Sequence, residues 1–361
     1  SRAGVLQPVS IAPEILSRIP PTVAGVPLYS PHKEWYTAAI SIFGMIINTA
    51  AADRLHIPHP TTWSDLGLPV YFDLVGLADP AKSGSMHAMF EVILQGYGWD
   101  EGWKLLSRMA ANARTISNHA SQVGKDVATG EMAVGIAIDT YAGDVIRQVG
   151  SERVRFVTPA DYAAITGDCI ALASSAPHPE LGKRFIEFVL SPEGQKLWYY
   201  KRGTPGGPQE FEIGKLPVIP ELYNTGSPAT VVPGSPFTFS NVFPFDASKA
   251  ATRWNLVNDL FSSFIVEVHD RLVAFARHHP DTQPPTVPIT EEEALKLSPD
   301  GVWGTDHIAR SEQLRKWSAR ASSALPTSHG PLYPYRWTPS IALCLLFVLA
   351  IVRRIASRNA R

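Results

Sequence analysis

The chain has 361 residues and a nearly even charge balance, with 32 Lys and Arg against 33 Asp and Glu. This balance argues against nucleic acid as a main partner, because such binding depends on clustered basic residues that face phosphates. Hydrophobic residues make up 45% of the chain and exclude a disordered protein, while 31 prolines are too many for a simple helical bundle. At about 150 residues per domain, the length predicts two domains or lobes.

The first part of the chain alternates predicted strands and helices. Trp35–Asn48 is apolar and contains many β-branched residues, which is typical of a buried strand. Alternation over residues 35–205 predicts an α/β architecture with a mainly parallel sheet. The other predicted strands are 74–78, 132–138, 154–157 and 169–173, and the predicted helices begin near Met86, Trp99, Ser121, Leu181 and Pro192.

Later segments show helical patterns separated by a stretch without regular structure. Residues 203–244 are dense in Pro and Gly, and the apolar face over residues 253–275 then predicts a long helix. Thr290 begins a capping-box pattern, and the last helix is expected at 305–325. The predicted amphipathic helix at 181–190 has Leu181, Phe185, Phe188 and Val189 on one face.

The two ends of the chain give different indications. Ser1 is followed by neither a charged n-region nor an apolar h-region, so no signal peptide is expected in this chain. Residues 337–352 form a sixteen-residue run without a charge, preceded by aromatic residues and followed by four arginines. These three parts predict a transmembrane anchor at 331–361 with a basic cytoplasmic tail. A buried core helix is the alternative, which the four arginines without a nearby acid make less favourable.

Signatures of common enzymes do not occur in the sequence. It has no GxSxG, HExxH, CxxC or Walker motif. His56 and His59 have a spacing that suits metal ligands, but they lie in a proline-rich segment. We therefore interpret these two histidines as ordinary loop residues.

Two short polar motifs are better candidates for a binding site. Ser83, Gly84 and Ser85 follow a predicted strand and begin a helix, where N–H groups and hydroxyls form an anion-binding seat. An ordinary serine cap is the alternative interpretation. Asp139 and Tyr141 follow another predicted strand, at the edge where ligands of open α/β sheets bind. This pair suits a cation or a polar solute, and a helix cap is an alternative of equal weight.

Several longer segments resemble those of a known family. The segments GVLQPV, WYTAAISIFGMIINT, LADPAKSGS, GEMAVGIAID and FIEFVLSPEGQ occur in this order. Together they resemble the extracellular solute-binding proteins of ABC importers, specifically the ferric-iron-type group with the type II periplasmic-binding fold. The similarity extends from about Gly4 to Tyr223.

The resemblance implies two α/β lobes joined by a hinge, with a solute held in the cleft between them. Residues 1–49 and 158–222 would form lobe 1, and residues 50–157 would form lobe 2. Lobe 1 lacks the strand–helix–strand unit with which the family begins, so it is expected to be incomplete at its N-terminus. A Pro/Gly-rich segment and C-terminal helices at 223–330 lie outside the usual family pattern.

The resemblance also implies which residues contact the solute. The family's ligand positions correspond to Ser83 and Ser85 at the helix start and to Asp139 and Tyr141 after the lobe 2 strand, with Trp35 as a further candidate at the cleft rim. Fe³⁺ is implied as a candidate transported ligand, held by Asp139 and Tyr141. Ferric binders in this group often have two adjacent tyrosines, whereas only one is present here, which argues against iron.

We therefore expect the extracytoplasmic solute-binding component of an ABC importer, anchored in the cytoplasmic membrane and facing the periplasm. Its partners would be ABC permease and ATPase subunits and a small solute, without nucleic acid. Such a protein needs a cleft with a few polar groups and a hinge rather than catalytic residues. A membrane-tethered ligand sensor with the same cleft is the alternative. The nine residues after Val352 leave no room for an output domain and favour delivery.

Overall fold

The computed structural model describes residues 4–225, 228–239, 242–298 and 303–325. The predicted strand at Trp35–Asn48 is confirmed, and all of its 14 residues except Trp35 are buried because both faces are covered. The strands are β1 (Leu6–Gln7), β2 (Thr22–Val23), β3 (Val26–Pro27), β4 (Trp35–Asn48), β5 (Val75–Ala78), β6 (Ala113–Ser117), β7 (Val134–Ile138), β8 (Val154–Val157) and β9 (Ala164–Ala173).

The α-helices are α1 (Pro13–Leu16), α2 (Thr49–Leu55), α3 (Gly84–Gly96), α4 (Trp99–Ala111), α5 (Ala120–Thr129), α6 (Asp139–Val149), α7 (Pro179–Leu190), α8 (Pro192–Tyr199), α9 (Ala247–Phe261), α10 (His269–His278), α11 (Glu291–Leu297) and α12 (His307–Ala324). Several begin at capping residues that the sequence supplies. Ser83 and Ser191 accept backbone N–H groups at the starts of α3 and α8. Thr290 and Glu293 form the predicted capping box of α11.

The main sheet is mixed, so the prediction of a mainly parallel sheet is wrong. Its strand order is β1-β9-β4-β7-β5-β6, and β8 pairs with β4. β4 runs antiparallel to β7, β8 and β9, whereas β5 is parallel to β6 and β7. Alternation along the chain predicts direction only for strands joined by a helical crossover. The partners of β4 come from distant positions, and their direction has no local signal.

The central strand β4 contributes to two separate hydrophobic clusters. Tyr36 and Ile40 belong to the cluster that also contains residues of α7 and α8. Met45 and Ile47 belong to the cluster formed with α3 and α4. The described residues nevertheless fall within one compact unit. The division into lobe 1 (1–49 and 158–222) and lobe 2 (50–157) therefore stays a prediction.

The C-terminal helices pack on the cluster that contains α3 and α4. Leu256 on α9, Leu272 on α10 and Trp317 on α12 are buried there together with Phe90 of α3. The single helix expected over 253–275 is interrupted, because a π-helical turn at Ser262–Val266 separates α9 from α10. These helices complete the core on that side of the sheet.

The apolar face predicted for α7 is exposed to solvent in large part. Leu181, Phe185 and Phe188 are between 49% and 63% exposed, whereas Ile186 and Val189 are buried. α7 therefore packs through a neighbouring face of the helix.

The predicted membrane anchor at 331–361 lies outside the described residues. Among the described helices, none has both the length and the apolar character needed to cross a bilayer.

Candidate functional site

Three parallel strands place the starts of three helices at one edge of the sheet. β5 lies between β6 and β7, with Ala78 paired to Ser117 and Gly76 paired to Gly135. α3, α5 and α6 follow the carboxyl ends of β5, β6 and β7. Because each helix start carries a partial positive charge, this edge attracts negative groups. α3 and α5 have no acidic residue in the first turn, which keeps that charge uncompensated.

The motif around Gly84 forms the first turn of α3. Ser83 is the N-cap and accepts the Met86 N–H at 3.3 Å, so the capping interpretation is correct for this serine. Its Oγ lies 3.2 Å from the Oγ of Ser85. Both serines are half-buried and Gly84 is exposed. The two hydroxyls and the first-turn N–H groups are therefore accessible to a small anion, and capping and anion binding are compatible.

Asp139 is the first residue of α6 and is only 1% exposed. Its Oδ1 accepts the Ile42 N–H at 3.3 Å, whereas its Oδ2 has no hydrogen-bond partner among the described residues. Ile138, not Asp139, occupies the N-cap position of α6. The carboxylate is thus tied to β4, and one of its oxygens remains a buried acceptor.

Burial raises the pKa of the Asp139 carboxyl to about 7 from an ordinary value of 3.8. The N–H groups of Ile42 and Thr140 and the ammonium group of Lys215 oppose this rise, and Asp168 adds to it. Desolvation dominates because a carboxylate loses more hydration than one weak hydrogen bond restores. Asp139 therefore titrates close to neutral pH.

Residues far apart in the sequence surround this carboxyl group. Lys215 forms an ion pair with Asp168, which also accepts the Ser41 hydroxyl at 2.9 Å. A backbone hydrogen bond from Ile40 to Leu216, 2.8 Å long, holds the Lys215 segment on β4. Lys215, Asp168 and Ser41 were not among the predicted site residues. No local motif marks them, because only the pairing of β4 with β9 and with the segment around Leu216 brings them together.

The two remaining predicted site residues, Tyr141 and Trp35, do not contact the Asp139 carboxyl group in the described structure. Tyr141 lies in the first turn of α6 and is 40% exposed, so its phenol is accessible at the same edge. Trp35 begins β4, seven residues before Ile42, which places it about 23 Å along the strand from the contact with Asp139. The structure does not bring Trp35 together with the other candidates.

A cavity of about 540 Å³ is lined by none of the predicted site residues, but one of its lining residues interacts electrostatically with Asp139. That residue, Tyr223, donates a 2.8 Å hydrogen bond to the Pro217 carbonyl and packs on Tyr199. Burial raises the pKa of the Tyr223 phenol, with further contributions from Tyr199 and Asp139. The cavity is large enough for a small organic solute.

A segment after this tyrosine connects α8 with α6. The Ala229 N–H donates to the Tyr199 carbonyl at 2.8 Å, and Arg147 donates to the Ala229 carbonyl at 3.3 Å. Val231 lies close to Gly143, where an added Cβ would be 3.7 Å from the valine side chain. The segment 229–231 therefore packs on α6 at Gly143, one turn after Asp139.

Comparison with known families identifies the class of this protein. The family described as "Bacterial extracellular solute-binding protein" matches residues 2–217. This match covers more than half of the chain, so the chain belongs to that family. Its members are extracellular, which agrees with the expected periplasmic location.

Curated relatives include the phosphoglycerate transport regulatory protein PgtC of Salmonella typhimurium. It is 31% identical over 182 residues, which are 50% of this chain and 42% of the relative. The corresponding protein of Salmonella typhi matches with the same values. The chain therefore aligns with less than half of the length of these relatives.

Solved structures show the same fold as this chain. The periplasmic binding protein P5PA has a TM-score of 0.56 at 19% identity, and AfuA from Actinobacillus pleuropneumoniae, with exogenous fructose-6-phosphate bound, has 0.57 at 20%. Both comparisons cover 73% of this chain and 78% of the other. Apo ferric ion-binding protein A of Pasteurella haemolytica has a TM-score of 0.51 at 14% identity, covering 77% of each chain. The fold is therefore that of the type II periplasmic binding proteins, as the resemblance implied.

Proposed function

We propose that the chain is the solute-binding component of an ABC importer and that its solute is a small organic phosphate that carries hydroxyl groups. The observation that carries this proposal is the position of two complementary groups at one sheet edge. One is the positive first turn of α3 with Ser83 and Ser85, and the other is the buried, unpartnered oxygen of Asp139. ABC permease and ATPase subunits would be its partners, and the periplasm its location.

The first turn of α3 favours a phosphate group. Its N–H groups and the two serine hydroxyls are hydrogen-bond donors, and a phosphate has several acceptor oxygens to receive them. The absence of an acidic residue from this turn removes a competing negative charge. A phosphate is therefore better suited to this position than a cation.

The Asp139 carboxyl favours a hydroxyl group on the same solute. A buried acceptor without a partner is costly, and a solute hydroxyl would satisfy Oδ2 by donating to it. An inorganic anion has no carbon-bound hydroxyl for this purpose, whereas a hydroxylated phosphate ester satisfies both positions. PgtC is named for phosphoglycerate transport and AfuA was solved with fructose-6-phosphate, and both names support this class of solute.

Iron is a weaker candidate for this site. Among the described residues there is no group of three or more His, Cys, Asp or Glu side chains placed to hold a metal ion. Asp139 and Tyr141, the pair suggested for Fe³⁺, also differ in accessibility, since one is buried and the other is exposed. The ferric-binding relative at a TM-score of 0.51 supports the fold and not the ligand.

Binding should be detectable as a rise in melting temperature. At a concentration one hundred times the dissociation constant, a solute stabilises the native state by about 2.7 kcal/mol. We expect this effect with 3-phosphoglycerate or fructose 6-phosphate, and not with fructose or ferric citrate. Ser85→Ala should weaken phosphate-ester binding by about 1 kcal/mol, because the backbone N–H groups remain.

Ser191→Ala provides the matched control, since this serine also lies at a helix start but caps α8. It should lower stability by about 1 kcal/mol and leave solute affinity unchanged. A shift with ferric citrate but none with either phosphate ester would contradict the proposed solute. If none of the tested compounds raised the melting temperature, solute binding by this chain would be contradicted.

We further propose that the apolar run at 337–352 anchors the protein in the cytoplasmic membrane. Its flanking aromatics and arginines support this proposal. The full chain should then appear in the membrane fraction, and a chain ending before Leu332 should remain in the soluble fraction. Recovery of the full chain without detergent would contradict the anchor.

A further inference from the structure

Helix α9, one of the C-terminal helices, places an aromatic side chain beside the first turn of α3, where we propose that the phosphate binds. Trp254 lies outside residues 2–217, the part of the chain that matches the family. A Cβ added to Gly84 would be 3.8 Å from Cη2 and 3.9 Å from Cζ2 of this indole. Trp254 is 37% exposed, so part of its ring system remains accessible next to the first turn of α3.

The position of the indole is maintained by contacts with α3. The ring centroids of Trp254 and His87 are 3.6 Å apart, and the two rings are stacked with 30° between their planes. The Nδ1 of His87 is 2.7 Å from the Oδ1 of Asn258, one turn along α9. The neighbouring Arg253 forms a buried ion pair with Glu91 of α3. These contacts hold Trp254 in place without a ligand, which makes it a preorganised surface.

Two further features indicate that this surface faces a solute. Gly84 has no side chain to separate the indole from the first turn of α3, so a group bound there would lie against the benzo edge of Trp254. The unpartnered oxygen of Asp139 lies at the same sheet edge, after the neighbouring strand β7. A hydrogen-bond acceptor, the positive first turn of α3 and an apolar side chain therefore lie at the same edge of the sheet.

We propose that Trp254 is a specificity-determining residue that contacts the carbon skeleton of the solute while its phosphate occupies the first turn of α3. This inference rests on the proposed function and adds the requirement for a carbon-bearing solute. C–H groups of a sugar or glycerate pack against aromatic side chains, and the benzo edge of Trp254 is the part of the indole nearest to Gly84. Inorganic phosphate has no carbon skeleton and gains nothing from this contact. Trp254 therefore selects organic phosphates over inorganic phosphate.

The test compares fructose 6-phosphate with inorganic phosphate by isothermal titration calorimetry. Trp254→Ala should weaken fructose 6-phosphate binding by about tenfold and change inorganic phosphate binding by less than about twofold. Trp254→Phe should retain most of the affinity, because a smaller aromatic face remains. Trp254→Leu keeps an apolar side chain over His87 without an aromatic face, and it should behave as the alanine variant does.

Trp303→Leu is the matched control, since Trp303 also belongs to the C-terminal region but stacks on Trp317. It should leave both affinities unchanged. Equal weakening of both ligands by Trp254→Leu would show that Trp254 only supports α3 and would overturn the inference, as would unchanged affinities. If the unmodified protein binds neither compound, the proposed function itself fails. If it binds both and the variants do not discriminate, only the role of Trp254 fails.

Discussion

Asp139→Asn should raise the stability of the protein at pH 8 by as much as about 4 kcal/mol. The pKa of this carboxyl is raised from 3.8 to about 7 because the group is buried. Above pH 7 the folded protein must keep a desolvated carboxylate, which the neutral amide avoids. The interval between 3.8 and about 7, at about 1.4 kcal/mol per pH unit, gives the upper limit.

The pH dependence of this effect has a definite sign. A raised pKa means that the folded protein binds the proton more tightly than the unfolded chain does. The stabilisation from protonated Asp139 is therefore complete below pH 3.8 and is lost as the pH rises through 7. The variant and the unmodified protein should be equally stable near pH 3.5 and should diverge up to pH 8. Denaturant unfolding across this range measures the difference.

The same substitution should weaken solute binding. An ionised acceptor makes a stronger hydrogen bond than an amide oxygen, so Asp139→Asn should lower the affinity for fructose 6-phosphate by roughly tenfold at pH 8. Higher stability combined with lower affinity is the expected signature of a binding-site residue. Lower stability with unchanged affinity would remove Asp139 from the site and return it to a structural role.

Asp144→Asn is the matched control on the same helix. Asp144 is mostly exposed and pairs with Arg147 at 2.5 Å on the surface of α6. Exposed pairs of this kind contribute about 0–1 kcal/mol to stability. The control should therefore change stability little and leave the affinity for fructose 6-phosphate unchanged.

Arg253→Met should destabilise the protein by about 3–5 kcal/mol. Arg253 and Glu91 are both fully buried, with the guanidinium donating to both carboxylate oxygens of Glu91 at 2.8–3.2 Å. Arg253 also donates to Glu291 at 2.5 Å and lies 4.9 Å from the centroid of the Trp99 ring. Removing Arg253 leaves Glu91 as a buried charge without its principal partner. The expected loss of stability therefore reflects the cost of leaving the Glu91 carboxylate buried without its cationic partner, and not the strength of attraction within the pair.

The double variant with Glu91→Leu and Arg253→Met distinguishes these two contributions. Replacing both buried charges with apolar groups should recover most of the stability, because no uncompensated carboxylate remains. Lys296→Met removes an exposed pair with Glu292 and should change stability by about 0.5 kcal/mol or less. An Arg253→Met variant that loses less than about 1 kcal/mol would contradict the interpretation of a tightly coupled pair.

This ion pair also links the C-terminal helices to the site. Arg253 precedes Trp254 on α9. Glu91 lies on α3, whose first turn is the proposed phosphate-binding position. We therefore expect Arg253→Met to weaken organic phosphate binding in proportion to the displacement of Trp254. Residues beyond the family match would then contribute to solute recognition.

Part of the site was predictable from local patterns. Asp139 directly follows a predicted strand, Ser83 and Ser85 lie in the connection between another predicted strand and a helix, and the carboxyl ends of neighbouring parallel strands lie at one edge. The proximity of Lys215 and Trp254 was not predictable. Each comes from a segment without a motif, more than seventy positions away from Asp139.

The sequence alone determined the features that depend on interactions over a few residues. The mostly apolar sequence of β4 predicted a buried strand, and the capping residues Ser191 and Thr290 marked the starts of α8 and α11. Tertiary structure decided the direction of the strands beside β4, the exposure of the α7 face and the burial of Asp139. These features depend on pairs such as Ile42 with Asp139 and His87 with Asn258, which are 97 and 171 positions apart. Local propensity contains no information on such pairs, because their energy arises only when the chain has folded.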